Sequence, residues 1–219
     1  DSGNYSLSAY TTPGNTYTVS QLALLGSLSS GSSVYGSALN PGSVTLNNVV
    51  SGDQVQVGSV TVNTAGNLSG AGKLKAGSYT GIESVGSALT GADAGNYSFN
   101  GLTGDYSVSQ LALTGVAIAS GSSVYDSVVT PGAVSFANVV TGDVVNASAS
   151  LVGTSLSTGG KVNAGAYAQQ VSTINGADSG NYSLSAYTTP GNTYTVSQLA
   201  LTGVAIASGS SVYGSVVTP

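Results

Sequence analysis

The chain has 219 residues, and its only basic side chains are Lys73, Lys75 and Lys161, set against eight carboxylates for a net charge of −5. Phosphate backbones and anionic headgroups are recognised by clustered cations, so this composition excludes nucleic acid as a partner and argues against docking on a charged membrane surface. With no Cys and no His there is no disulfide frame, no thiolate nucleophile and no zinc cluster.

Charged residues make up 5% of the chain, against about 25% in an ordinary soluble domain. Ser, Thr, Asn, Gln and Gly must therefore cover the surface, which suits an extracellular repeat better than an intracellular protein that depends on charge repulsion. At 41% hydrophobic with 13 Tyr, the chain has the aliphatic and aromatic content that disordered segments lack. No apolar run approaches the ~20 residues of a membrane span, and nothing resembles a signal peptide. Both ends fall inside a repeat, and the sequence reads as an interior segment of a longer polypeptide.

Repetition organises the chain. Asp1–Leu24 returns letter for letter as Asp178–Leu201, and Gln110–Pro131 returns as Gln198–Pro219 with Gly214 in place of Asp126. Tyr35, Tyr125 and Tyr213 share the setting Ser-Ser-Val-Tyr at separations of 90 and 88. That period exceeds the ~20–50 residues of solenoid units and suits a tandem array of small domains with their own cores.

In chain order, period-two alternation marks the strands: Val44–Leu46, then Val55, Val57, Ser59 and Thr61 on one face with Gln54, Gln56, Gly58, Val60 and Val62 on the other. Tyr97–Phe99, Tyr106–Val108, Val134–Phe136, Tyr182–Leu184 and Tyr194–Val196 follow. Turn chemistry separates them at Asn40-Pro41-Gly42, Ser51-Gly52-Asp53, Thr130-Pro131-Gly132, Thr141-Gly142-Asp143 and Thr189-Pro190-Gly191-Asn192. No capped 3.6-residue stripe exists, so the fold is expected to be all-β. In Tyr194-Thr195-Val196-Ser197-Gln198-Leu199-Ala200-Leu201 the apolar register changes parity between Val196 and Leu199, and the same change follows Val108 and Val19. A parity change moves the buried side to the opposite face, so boundaries are placed at Gln21, Gln110 and Gln198. The expected organisation is a partial repeat at 1–21, complete repeats at 22–109 and 110–197, and a partial repeat at 198–219. Links without a Gly/Ser tether predict a semi-rigid rod. Roughly six to seven strands per repeat favour an immunoglobulin-like sandwich, with a β-grasp-like unit as the alternative.

The motifs recur in fixed order: Val34-Tyr35-Gly36, Val124-Tyr125-Asp126 and Val212-Tyr213-Gly214; Val49-Val50-Ser51-Gly52-Asp53 and Val139-Val140-Thr141-Gly142-Asp143; Gly72-Lys73 with Ala76–Tyr79, and Gly160-Lys161 with Ala164–Tyr167; then Gly91–Tyr97 and Gly176–Tyr182. In this order they resemble the YDG and MBG-type repeats of large bacterial adhesins related to filamentous haemagglutinins, across essentially the whole chain. Two of three units depart from that pattern with Gly in the Asp position. The resemblance implies a secreted or surface-attached β-domain stalk, often exported by a two-partner pathway, and it implies no enzymatic activity.

Chemistry is sparse. General acid–base catalysis favours His or paired carboxylates with separated pKa values; here there is no His, Glu83 is the single Glu, and no base stands ready to activate a Ser. No catalytic residue and no resident cofactor are expected. Asp93, Asn96, Asp178 and Asn181, with Asp53 and Asp143, offer oxygen ligands for calcium, but calcium takes 6–8 oxygens, and the competing reading is side-chain bonding that shapes tight turns. Tyr79, Tyr97, Tyr167 and Tyr182 would stack on sugars if exposed, or pack in the core with a bonded hydroxyl. Lys73 and Lys161 would serve a Lys–Asn crosslink if buried, or guard an edge strand. Five Asn-x-Ser sequons, at Asn4, Asn67, Asn96, Asn146 and Asn181, are of the number such a composition produces by chance.

These readings converge on a non-catalytic stalk of an extracellular bacterial adhesin or surface fibre that supports adhesion and a biofilm matrix. Its partners would be neighbouring repeats of the chain and a polysaccharide or host-surface receptor reached through parts outside this segment. A self-assembling filament or sheath with homotypic lateral contacts is the alternative, and a glycan-binding module is the second.

Overall fold

The computed structural model describes residues 2–4, 14 and 17–216. Among them the fold is nearly all-β, the only helical turns being three-residue 3-10 segments at Ser2–Asn4, Ala94–Asn96 and Ser179–Asn181. The chain divides into two units, Asp1–Leu68 with Leu74–Ser109, and Ser69–Lys73 with Gln110–Pro219.

The first unit contains β1 (Leu22–Ala23), β2 (Gly26–Leu28), β3 (Gly31–Val34), β4 (Val44–Leu46), β5 (Gln56–Val57), β6 (Thr61–Val62), β7 (Gly77–Val85), β8 (Leu89–Thr90), β9 (Tyr97–Ser98) and β10 (Leu102–Ser109). Its main sheet has the order β3-β10-β7-β6, flanked by the pairs β1-β9, β2-β4 and β5-β8. The second unit contains β11 (Leu111–Ala112), β12 (Ala117–Ile118), β13 (Gly121–Val124), β14 (Val134–Ser135), β15 (Asn146–Ala147), β16 (Ser150–Val152), β17 (Gly165–Val171), β18 (Ile174–Asn175), β19 (Tyr182–Ser183), β20 (Tyr187–Thr188) and β21 (Tyr194–Ser197). It repeats the plan as β13-β21-β17-β16, with β20 on β17 and the pairs β11-β19, β12-β14 and β15-β18.

Both main sheets are mixed. β7 runs antiparallel to β10, but β3 and β10 are parallel, with Gly31 opposite Tyr106 and Val34 opposite Ser109. In the second unit β13 and β21 are parallel, with Gly121 opposite Tyr194 and Val124 opposite Ser197. β1 is likewise parallel to β9, and β11 to β19. An early strand of each unit thus lies beside its last strand, an arrangement that no hairpin connection supplies.

Alternation is clearest in β21, where Tyr194 and Val196 are buried while Thr195 and Ser197 are exposed. In β10 it buries Tyr106 and Val108. The first core gathers Leu24, Val85, Tyr97 and Phe99 under Val44, Leu46, Val55, Val57 and Val60; a cluster in the second is Tyr167, Tyr194 and Val196. The register expected for 54–62 is corrected here. The strand breaks at Gly58-Ser59, β5 joins β8 while β6 joins β7, and Val57 and Val60 therefore pack on the same core instead of opposite faces.

The repeated Pro-Gly turns have a definite steric cause. A Cβ at Gly42 would overlap the Ser29 carbonyl oxygen, and one at Gly132 would overlap that of Ala119. The Val-Tyr-Gly/Asp motif is a tight turn: the Ser37 amide donates to Val34 O and the Ser127 amide to Val124 O, with Gly36 at φ 84° and Asp126 at φ 73°. Only Gly enters that left-handed region freely, and Asp tolerates it better than most residues, which accounts for the interchange of Gly and Asp there.

The division between the units falls between Ser109 and Gln110. The Gln21 side-chain amide donates to Gly95 O at 3.0 Å and that of Gln110 to Gly180 O at 2.9 Å, so each of these glutamines anchors to the 3-10 turn of the unit that follows it in sequence. The expected partial repeat at 1–21 lies mostly outside the described residues; Tyr17–Ser20 and residues 198–216 carry no strand and are exposed.

Candidate functional site

The repeated Asp and Tyr residues meet in each unit. In the first, the turn closed by the Asp53 amide on Val50 O brings the Asp53 carboxylate against Tyr97. The Tyr97 hydroxyl donates to Asp53 Oδ2 at 2.5 Å and accepts from the Val50 amide at 3.0 Å. Asp93 Oδ2 accepts from the Gln54 amide at 2.8 Å. The second unit repeats each bond: Tyr182 hydroxyl to Asp143 Oδ2 at 2.6 Å, Val140 amide to the Tyr182 hydroxyl at 2.9 Å, Val144 amide to Asp178 Oδ2 at 2.9 Å. Loop amides without a sheet partner are thereby satisfied by side chains, which a partly buried backbone requires. The carboxylate beside it holds the Tyr97 phenol above its ordinary value, with burial adding to the effect and the Val50 amide opposing it.

In the second unit the carboxylates also carry the hairpin tip Ser69–Lys73. The Gly70 amide donates to Asp178 Oδ1 at 3.1 Å and the Ala71 amide to Asp143 Oδ1 at 2.9 Å. Asp178 is buried, as is Asn181, whereas Asp93 and Asp53 are half-buried and Asn96 is exposed.

The six oxygen-bearing residues considered for calcium thus fall into two places, each with two carboxylates that accept hydrogen bonds from protein donors. Neither Asp93 nor Asp178 caps its own 3-10 turn with its side chain; each reaches across to another loop. Among the described residues no group of three or more His, Cys, Asp or Glu side chains is placed to hold a metal ion.

Of the four tyrosines considered for sugar stacking, Tyr97, Tyr167 and Tyr182 are buried and Tyr79 is half-buried. The hydroxyls of Tyr79 and Tyr167 each donate to a carbonyl four residues back, Lys75 O and Asn163 O, both at 2.7 Å. Burial raises the Tyr79 phenol. Lys73 and Lys161 are exposed. Lys161 pairs with Asp126 at 2.8 Å, and that bond raises its ammonium above the usual Lys range. Of the sequons, Asn4, Asn96 and Asn146 are exposed, Asn67 is half-buried and Asn181 is buried.

One polar centre was not singled out from the sequence. Glu83, fully buried, accepts from the Gly31 amide at 3.1 Å and the Gly42 amide at 2.9 Å. Gln169, also fully buried, takes this place in the second unit: Oε1 accepts from the Gly132 amide at 2.7 Å, while Nε2 donates to Ala119 O and Thr193 Oγ1, both at 2.9 Å. The two lie 86 positions apart, because β7 carries two extra residues around Gly81, whose amide donates to Asp105. The available signal was a polar residue on the inward register of an alternating strand, Tyr167-Gln169-Val171. A hollow of about 480 Å³ in the first unit is lined by Val44, Leu46, Val49, Val55, Gln56 and Val57 and presents no titratable or nucleophilic side chain. No family model, curated protein or solved structure matches the chain.

Proposed function

We propose that this chain is a load-bearing, non-catalytic segment of an extracellular bacterial adhesin stalk or surface fibre, built of β-sandwich-like units in tandem along an elongated rod. The observation that carries the reading is the parallel pairing of early and last strands in each unit: β3 with β10 and β13 with β21, reinforced by β1 with β9 and β11 with β19. Tension enters a unit near its first strand and leaves through its last. Across a parallel pair that tension acts along the strands, so several backbone hydrogen bonds are loaded together in shear instead of opening one at a time. The Asp, Tyr, Glu and Gln side chains of the repeated motifs act in the same sense, since each ties a loop to the sheet. Sparse charge with abundant Ser and Thr supports an extracellular setting, as does the resemblance to adhesin repeats.

Single-molecule stretching of the whole chain tests this. Two separate force peaks are expected, each releasing roughly 300 Å of chain for a unit of about 88 residues. Attachment points that peel β10 from β3 end-first should lower the first unit's peak severalfold. Equal forces in both geometries would refute the load-bearing reading. Small-angle scattering of the same chain checks the rod, and a compact particle would count against it.

A further inference from the structure

We infer that Asn100–Gly101, in the loop between β9 and β10, is a self-modification site: Asn100 loses ammonia to give aspartyl and isoaspartyl forms, and the isoaspartyl form loosens the first unit. The inference does not rest on the load-bearing reading. Of the chain's asparagines only Asn100 and Asn175 precede a glycine, and the fold treats the two differently.

The reaction needs a backbone nitrogen that can swing onto the side-chain carbonyl carbon of the residue before it. Once its proton passes to solvent base, the Gly101 nitrogen bonds to Asn100 Cγ, and the side-chain nitrogen departs as ammonia. The product is a five-membered succinimide. Water then breaks one of the two ring C–N bonds. Opening at Cγ leaves an aspartate side chain, whereas opening at the main-chain carbonyl leaves an isoaspartyl link in which the chain runs through the β-carbon. A following glycine favours ring closure, because it has no Cβ to obstruct the approach.

At Asn100 closure breaks no hydrogen bond. The Asn100 carboxamide and the Gly101 amide have no hydrogen-bond partner among the described residues, both residues lie outside the flanking strands, and Asn100 is exposed. Gly101 is half-buried, but a cleft of about 250 Å³ lined by Ser84, Val85, Asn100, Gly101, Leu102 and Thr103 admits water beside it. This exposure does not come from a nearby chain end. Ser185 and Ala186, at the corresponding place in the second unit, are exposed with the whole first unit preceding them. Asn175 is held instead. It ends β18, where it pairs with Asn146 of β15, and the Gly176 carbonyl accepts from the Ser179 amide at 3.2 Å and the Ser179 hydroxyl at 2.9 Å.

The two products differ in what they do to the fold. Phe99 is seated in the first core and Leu102 is paired with Val85. Between them the backbone has no slack, since a Cβ at Gly101 would lie 2.6 Å from Val85 O. An isoaspartyl link inserts an extra main-chain carbon there, so Phe99 or the start of β10 must move. The aspartyl form adds only an exposed negative charge and leaves the chain path unchanged.

The whole chain, aged in heavy-oxygen water at neutral and at mildly alkaline pH and mapped by peptide mass spectrometry, tests this beside a sample aged in urea. Heavy oxygen should enter at position 100, faster at the higher pH. In the folded chain position 100 should convert at least fivefold faster than position 175, and in urea the two should convert alike. Asn100→Gln, which would have to close a larger ring, should abolish the conversion. In urea unfolding the aged chain should lose its first-unit transition at lower urea than the parent, while Asn100→Asp stays with the parent. Absence of conversion at position 100, equal rates at the two positions in the folded chain, or the same preference in urea overturns the assignment. An aged chain that unfolds like Asn100→Asp overturns the loosening.

Discussion

Replacing Glu83 tests whether a lone buried carboxylate holds the first unit together. Glu83→Ala leaves the Gly31 and Gly42 amides without an acceptor, and each buried donor so orphaned costs about 1–3 kcal/mol. Removing the charge recovers part of its desolvation cost, so the expected loss is about 3 kcal/mol. At ~0.05–0.15 kcal/mol per residue, a unit of this size has roughly 4–13 kcal/mol in total, and such a loss removes much of it. Glu83→Gln should behave differently. Its Oε1 keeps the Gly42 amide, as Gln169 keeps that of Gly132, and its Nε2 turns to Ser29 O as Gln169 Nε2 does to Ala119 O. Only the Gly31 amide then lacks its partner, at about 1–2 kcal/mol. Urea unfolding followed by tyrosine fluorescence, with the unaltered second unit as internal reference, measures both variants. An alanine variant within about 1 kcal/mol of the parent, or a glutamine variant as damaging as alanine, would refute the reasoning.

The reciprocal change, Gln169→Glu, sets a carboxylate against Ala119 O and should destabilise the second unit by about 2–3 kcal/mol, read from the same urea curves. Gly132→Ala places a methyl on the Ala119 carbonyl; the second unit's cooperative unfolding transition should be lost or shifted by more than about 3 kcal/mol, since core overpacking costs about 1–3 kcal/mol and here the obstacle is backbone. Asp126→Gly relieves a left-handed Asp at the expense of an exposed ion pair with Lys161. Such pairs are worth about 0–1 kcal/mol against about 1–2 kcal/mol for the backbone strain, so the melting temperature should hold or rise. Tyr97 should ionise above its ordinary pKa of 10.0 and move down in Asp53→Asn, as read by phenolate absorbance. A raised phenol means that the folded state retains its proton longer, so this contribution to stability is complete below about pH 10 and fades as pH rises through the folded value.

Local sequence determined a good deal of this protein. Strand-forming alternation at Tyr106/Val108 and Tyr194/Val196, the Pro-Gly and Gly-Asp turns, and the absence of any helical stripe are properties of neighbouring residues, and they placed an all-β fold. Distant pairing decided the rest. Whether Val57 and Val60 share a core depends on β5 and β6 choosing different partners, which periodicity over 54–62 does not encode. That Asp53 bonds Tyr97 and Asp143 bonds Tyr182 depends on where loops some forty residues away return. The equivalence of Glu83 and Gln169 was hidden by a two-residue bulge that offsets the repeats. A hydrogen bond specifies a donor and an acceptor in space, and the chain path that brings them together is set by the packing of the whole sheet, which no short stretch of sequence contains.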